Sequence, residues 1–375
     1  MEDVVKNSQN SSQPTQSIKP KILLPKMNWV LSQKFIRELE VKRQTKVICF
    51  FISVNHMLNN NDVDPFFEIL KTIGKSEKIT LFLYGPGGSS YAALRIASLL
   101  RDYCEFLEIL VPSLCASANT NLALSGDTII MSSAGFLTPV DSSLINQLNP
   151  KGANNLPVPV SIEQIKRIVK FLEKEKSVQN EAGNNEGAYR TLFKYVHPLV
   201  VGEIDRVTSS SEMIAVKMMR MHAQSFENQE KIVEIAQKLV GSYPSHSFPI
   251  LFDDAKELGL PVEKASVDLS ELMWELVKVY DIASRYMTTN ISENFYHYEE
   301  YPVIIETTGQ RIIYRKTYNK RVNKTLHSVQ VENNYSGWYR VIQGTSPKSP
   351  YKISGMDLPY WKMSTQSKDT QEDTI

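Results

Sequence analysis

The chain has 375 residues, of which 42% are hydrophobic and 22% charged, with a formal net charge of +1. This is the balance of a globular protein, and it excludes a global field that would draw in nucleic acid or another polyanion. Three cysteines (Cys49, Cys104, Cys115) are too few for a disulfide framework; no His/Cys ligand spacing points to a metal, and no cofactor is expected.

In chain order, residues 1–25 are rich in Ser, Gln, Asn, Pro and Lys and lack apolar periodicity, so a disordered tail is expected. They show no charged-then-apolar leader, and apolar runs such as Val47–Val54 fall far short of the ~20 residues of a membrane span. A cytoplasmic location without membrane contact is the expectation. Lys46–Val54 then reads as a buried strand, Asp62–Ile73 as a helix capped by Asp62 or Asp64, and Ile79–Tyr84 as a second buried strand. Gly85-Pro86-Gly87-Gly88 makes a turn into a helix over Ser89–Arg101. Glu108–Val111 and Thr128–Met131 read as further strands, with Ala116–Leu124 helical between them. Continuous apolar strands alternating with helices predict a mostly parallel sheet covered by helices.

After Pro150 the pattern becomes helical. Ser161–Lys176 starts with a capping-box pair, Ser161 and Gln164; Pro198–Val240 holds two helical stretches, and Leu269–Tyr286 one more. Cys49 and Cys104 read as small core residues, and His197 as the residue that opens a helix at Pro198. From Tyr301 the chain alternates as strands with a hairpin around Thr-Gly. The resulting division is a tail over 1–25, a main domain over 26–287, a small β-rich appendage over 288–350, and a tail over 351–375.

Two features stand at the ends of successive strands, where open α/β sheets place their sites. The first is the glycine turn at 85–88, where free N–H groups and a helix N-terminus suit an oxyanion or a phosphate. An ordinary tight turn has the same sequence, and the Lys-Ser/Thr ending of a phosphate loop is missing. The second is Pro112-Ser113-Leu114-Cys115-Ala116-Ser117-Ala118-Asn119-Thr120, a serine among small residues ahead of a helix. Small residues also serve plain helix–sheet packing, and Ser113 and Cys115 are rival nucleophiles on local sequence.

Taken together, the segments LYGPGG, PSLCASANT, GDTIIM and FLTPVD resemble the Clp protease superfamily. The closer resemblance is to the serine dehydrogenase proteinase family, relatives of the signal peptide peptidases. Further matching segments are HPLVVGEIDR at 197–206 and SYPSHSFPILFDDAKELGL at 242–260, so the resemblance spans roughly residues 40–285. It implies an α/β Clp/crotonase-like spiral of βα(β) units with a helical layer, and a homo-oligomer assembled through that layer. It implies Ser117 as nucleophile, with the N–H groups of Gly88 and Ala118 as the oxyanion hole and Gly87 in support. Gly85, Asn119 and Thr138 depart from the family's usual threonine, smaller residue and glycine.

The base is less legible. Clp peptidases carry a histidine in the stretch corresponding to Ser132–Asp141, which here holds none; Thr138 or a neighbour occupies the place. Signal-peptide-peptidase relatives use a lysine further on, where Lys166 and Lys170 lie; a lysine base must be partly desolvated. His246 falls near the triad acid of the Clp pattern and is preferred as base over Lys170, with Asp141 to orient it or simply to close the turn after Pro139. His56, His197, His222, His297 and His327 show no partner pattern.

The expected function is a serine peptidase or related acyl hydrolase acting on peptide or protein, with a peptide strand beside the sheet edge near Gly87. An inactive oligomeric scaffold and a crotonase-type acyl-CoA enzyme are the alternatives on the same fold. Between Arg311 and His327 the chain holds six Lys and Arg residues and no acid, which suits either a solvated hairpin face or contact with nucleic acid.

Overall fold

Successive residues of KVICFFI, Lys46–Ile52, face different cores: Ile48, Phe50 and Ile52 enter one buried cluster and Val47, Cys49 and Phe51 another. Such two-sided burial makes a strand read as unbroken apolar sequence. The structure is a computed structural model. It describes residues 19–23, 28–141, 143–144, 148–149, 151–153, 155–158, 160–161, 164–165, 167–168, 171, 193, 196–222, 226, 229–284, 289–346, 349–356 and 358.

The elements run β1 (Lys21–Leu23), α1 (Trp29–Arg43), β2 (Lys46–Ile52), α2 (Val63–Ile73), β3 (Ser76–Tyr84), α3 (Ser90–Tyr103) and β4 (Cys104–Val111). Next come β5 (Leu114–Cys115), α4 (Ala118–Ala123), β6 (Thr128–Met131), β7 (Phe136–Leu137), β8 (Ser143–Leu144) and β9 (Val160–Ser161). The remainder is α5 (Pro198–Arg220), α6 (Gln229–Gly241), α7 (Phe252–Leu258), β10 (Val262–Lys264), α8 (Val267–Ser284), β11 (Phe295–Thr307), β12 (Gln310–Asn323), β13 (Ser328–Ser346) and β14 (Ser349–Gly355).

Among the described residues one sheet has the order β10-β6-β4-β3-β2-β11-β12-β13-β14. Its first five strands are parallel, as the alternation of strands and helices predicts, and the rest pair antiparallel. One face carries α2, α3, α5 and α6 over the larger apolar cluster, and α1 and α8 cover the other. No helix of the described residues is long and apolar enough to cross a membrane.

Several local expectations change. The helix expected at Asp62 begins at Val63, after a single 3-10 turn over Asn60–Asp62. Asn59 caps that turn and buried Asp62 returns the bond to the Asn59 N–H, so Asp62 closes the capping box rather than opening it. Ser161 lies in β9, paired with Ser143, and most of the helix expected after it falls outside the described residues. Lys21–Leu23, placed in a disordered tail, pairs parallel with β11. The C-terminal strands continue the main sheet, because β11 pairs with β2 through Val303–Glu306.

The first half of the basic stretch from Arg311 is not a solvated face, whereas Arg321 and Lys324 beyond it are exposed. The acids missing from its own strand come from β11: Arg311 pairs with Glu306 at 2.8 Å, both essentially unexposed, and Arg315 pairs with Glu299. Lys320 is buried, its ammonium 4.9 Å from the Tyr298 ring centre. Glu306 also accepts from Ser32 and Gln33 of α1 and from the Tyr280 hydroxyl of α8, each at 2.8 Å. One satisfied ionic network thus fastens the β11–β12 hairpin to both helices of that face. Glu306→Ala leaves the Arg311 charge buried and uncompensated. The expected loss is about 3–5 kcal/mol in urea unfolding; a change under about 1 kcal/mol would show that the pair does not fasten the hairpin.

Candidate active site

The glycine turn leaves the end of β3 and runs beside the segment that ends β5. The Gly85 N–H donates to the Leu114 carbonyl (2.9 Å), and the Ala116 N–H donates to the Gly85 carbonyl (3.1 Å). Gly85 has no room for a side chain: a Cβ would lie 2.6 Å from Asn119 Nδ2 and 2.8 Å from Ile52 Cβ. The absence of a side chain at Gly85 thus leaves the space that the Asn119 amide takes up. Asn119 is fully buried, and neither of its amide atoms has a partner among the described residues.

Gly87 and Gly88 have φ of 97° and 139°, the region that side chains disfavour. At Gly87 a Cβ would meet the Ala116 carbonyl oxygen at 2.6 Å, Ser117 Cβ at 2.7 Å and the Ala118 nitrogen at 3.0 Å. The turn is held from its other side by Leu58, whose N–H donates to the Gly87 carbonyl (2.7 Å) and whose carbonyl accepts the Ser89 N–H (2.8 Å). Leu58 thereby takes up one side of the Gly87–Ser89 backbone and leaves the Gly88 N–H unbonded among the described residues. Sequence reasoning missed Leu58; a short apolar pair, Met57-Leu58, ahead of three asparagines was its only signal.

Ser117 is the N-cap residue of α4, yet its side chain does not cap. Its φ of 52° and ψ of −114° are unusual for a residue with a Cβ, a strain on the order of 1–3 kcal/mol that recurs at functional sites. The strain is held by bonds around it. The Ser117 N–H donates to Thr138 Oγ1 (2.9 Å), the Thr138 N–H to Thr120 Oγ1 (3.1 Å), and the Thr120 hydroxyl to the Cys115 carbonyl (2.9 Å). Thr138 is thus a buried acceptor for the Ser117 N–H. Ser117 is half-buried, and among the described residues its hydroxyl makes no hydrogen bond, nor do the N–H groups of Gly88 and Ala118. The Ser117 side chain and two unbonded N–H groups thus lie beside Gly87.

The rivals are placed differently. Cys115 is wholly buried in β5, and burial pushes its thiol far above the usual range, so little thiolate can form. Ser113 sits in the bend before β5, its carbonyl accepting the Phe136 N–H. His222 is buried, with Nε2 2.7 Å from the Leu124 carbonyl oxygen. His56 is held down to about 4 by burial. His197 caps α5 through Nδ1, as its place before Pro198 predicts. Lys166 and Lys170 lie outside the described residues.

His246 and Asp141 come together: Nδ1 is 2.7 Å from Asp141 Oδ1, with the imidazole 48% and the carboxylate 14% exposed. The hydrogen bond to Asp141 raises the imidazole pKa above its ordinary value of 6.5, against the lowering effect of burial. Leu137 and Ile250 exchange backbone bonds of 3.0 and 2.9 Å, which lays the segment carrying His246 along the segment carrying Thr138 and Asp141. Thr138 in turn touches Ser117.

Residues 18–155 match the profile of the ClpP-like SDH-type serine proteinases, and the resemblance read from the sequence stands on that stretch. The chain is 25% identical over 257 residues to the uncharacterised protein MJ0137 of Methanocaldococcus jannaschii, covering 66% of this chain and 77% of that one. Similar solved structures include a serine-to-alanine variant of the 1510-N membrane-bound stomatin-specific protease, at 15% identity and a TM-score of 0.36. That alignment covers 66% of this chain and 93% of the protease. ClpP1 from Listeria monocytogenes aligns at 13% identity and a TM-score of 0.31, over 62% and 98%.

Proposed function

We propose that this chain, similar over residues 18–155 to ClpP-like serine proteinases, is a serine peptidase that attacks peptide or protein carbonyls with Ser117. One observation carries the reading: a strained serine whose hydroxyl, like the nearby N–H groups of Gly88 and Ala118, has no partner among the described residues. Donors preorganised for developing negative charge are the largest single aid to acyl transfer, each worth about 10²–10³ in rate.

His246 is the base in this reading. Asp141 accepts the Nδ1 proton, which leaves the lone pair on Nε2, the tautomer that can take the serine proton. Nε2 then returns that proton to the leaving amine, and water resolves the acyl-enzyme by the same route. No hydrogen bond joins Ser117 to His246 among the described residues; in this reading it forms on substrate binding, as catalytic bonds often tighten only then.

The experiment is the pH dependence of Ser117 labelling by a fluorophosphonate. A base must be neutral, so the rate rises with pH through the raised pKa of His246, with an acid limb above 6.5. Asp141→Asn removes the carboxylate that is the main cause of the rise, so the limb moves to lower pH while the rate falls. His246→Ala lowers the rate by about 10²–10⁴. A limb that ignores Asp141→Asn removes His246 from the mechanism.

A second reading, an inactive assembling member of the same fold, draws on the exposed imidazole and the unbonded Ser117 hydroxyl. Leu199 and Met213, exposed on α5, would then contribute to contacts between copies. Wild-type protein unlabelled at every pH is its expected result.

A further inference from the structure

Beside the glycine corner lies a cavity of about 350 Å³ between the first turn of α3 and the middle of α5. Gly88, Ser90 and Tyr91 form one wall and Val207, Ser210 and Ile214 the other. Gly88 is therefore common to this cavity and to the proposed oxyanion hole. A carbonyl oxygen held at the Gly88 N–H would thus sit against a residue of the cavity wall.

Tyr91 has an uncommon setting. Its side chain is 59% exposed, yet its hydroxyl lies 2.9 Å from Ser210 Oγ, so the ring reaches from α3 to α5 on the solvent side of the cavity. The two helices already share a buried cluster through Ala92, Ile96, Ile214 and Met218, so their packing does not require an external tie. We propose that Tyr91, strapped to Ser210, is a specificity-determining residue. It confines the cavity to one compact, uncharged side chain on the acyl side of the scissile bond. The proposal rests on the reading of Ser117 as nucleophile.

Size and charge both support it. The volume is at the low end of the roughly 300–1,000 Å³ of ligand pockets, enough for a side chain and not for an extended ligand. Ile214, almost fully buried, and half-buried Val207 give apolar contact. Among the described residues the charged member of the lining is Arg206, which is exposed and bonded to Glu203 of its own helix rather than turned to a ligand. An acidic or basic side chain would lose its water there without gaining a partner.

The test uses the full chain and a set of peptidyl phosphonates that differ only in the side chain beside the phosphorus: alanine, leucine, tryptophan, glutamate or lysine. Rates are compared as ratios within each variant, so a general loss of reactivity cancels. In the wild type the leucine probe reacts at least about tenfold faster than the glutamate and lysine probes. Tyr91→Ala raises the tryptophan-to-alanine ratio by about tenfold or more, the scale on which pocket contacts discriminate. Tyr91→Phe keeps the ring and gives a smaller shift in the same direction. Ser210→Leu fills the cavity from the other wall and lowers the leucine-to-alanine ratio by a similar factor. Unchanged ratios in Tyr91→Ala and Ser210→Leu overturn the proposal, as does a wild type that favours a charged probe. Failure of the nucleophile reading shows separately, as a wild type unlabelled by a fluorophosphonate that has no side chain.

Discussion

Ser117→Ala is expected to abolish fluorophosphonate labelling and to lower hydrolysis by about 10⁶-fold while leaving the fold intact. The size follows from the division of labour. The oxyanion donors and the binding groups alone sustain on the order of 10³–10⁴ over water, and everything above that needs the nucleophile and its base acting as a unit. The fold is spared because the hydroxyl contributes no hydrogen bond among the described residues and does not cap α4. The bond to Thr138 that holds the turn comes from the backbone N–H, which alanine keeps. Alanine also takes the same positive φ at no greater strain than serine. Urea unfolding should therefore move by less than about 1 kcal/mol. Retained labelling with Ala at 117 would reassign the nucleophile, with Ser113 as the next serine to substitute.

How far the sequence carries depends on whether the determinants are local. Thr128–Met131 forms the strand its β-branched run predicts, residue for residue, and Gly87 and Gly88 adopt the positive φ that a paired glycine suggests. Strand partners are not local. The alternation in β11 marks a strand, yet its pairing with β2 depends on which sheet edge is free, so an appendage and an extended sheet read alike. Arg311 misleads for the same reason, since its counter-charge Glu306 sits across the hairpin turn on the partner strand. Thr138 is legible only as the absence of a histidine, because its role as acceptor for the Ser117 N–H depends on a pairing 21 residues along the chain. Gly85 and Asn119 read as two unrelated positions; in the fold a Cβ on residue 85 would lie 2.6 Å from Asn119 Nδ2, so the two share one space.

Gly87→Ala carries the second large effect, and it differs in kind because backbone atoms cannot step aside. The new methyl would lie 2.6 Å from the Ala116 carbonyl oxygen and 2.7 Å from Ser117 Cβ, distances at which something must shift. Its φ of 97° adds strain of about 1–3 kcal/mol. Leu58 pins the turn from behind through two backbone bonds, so relief comes by opening the gap between the glycine turn and Ser117. That movement withdraws at least one donor from the developing oxyanion, an expected loss of about 10²–10³ in labelling rate, beyond the fall in stability. Gly202→Ala supplies the contrast. Gly202 is exposed in α5, and a methyl added there meets nothing within 4 Å. Alanine at 202 should therefore stabilise the helix by about 0.5–1 kcal/mol and leave labelling at the wild-type rate. Measured at a temperature where both variants are folded, the two rates separate the turn's chemical role from its structural one. A Gly87→Ala protein that is labelled as fast as Gly202→Ala would mean that the glycine turn does not hold the oxyanion.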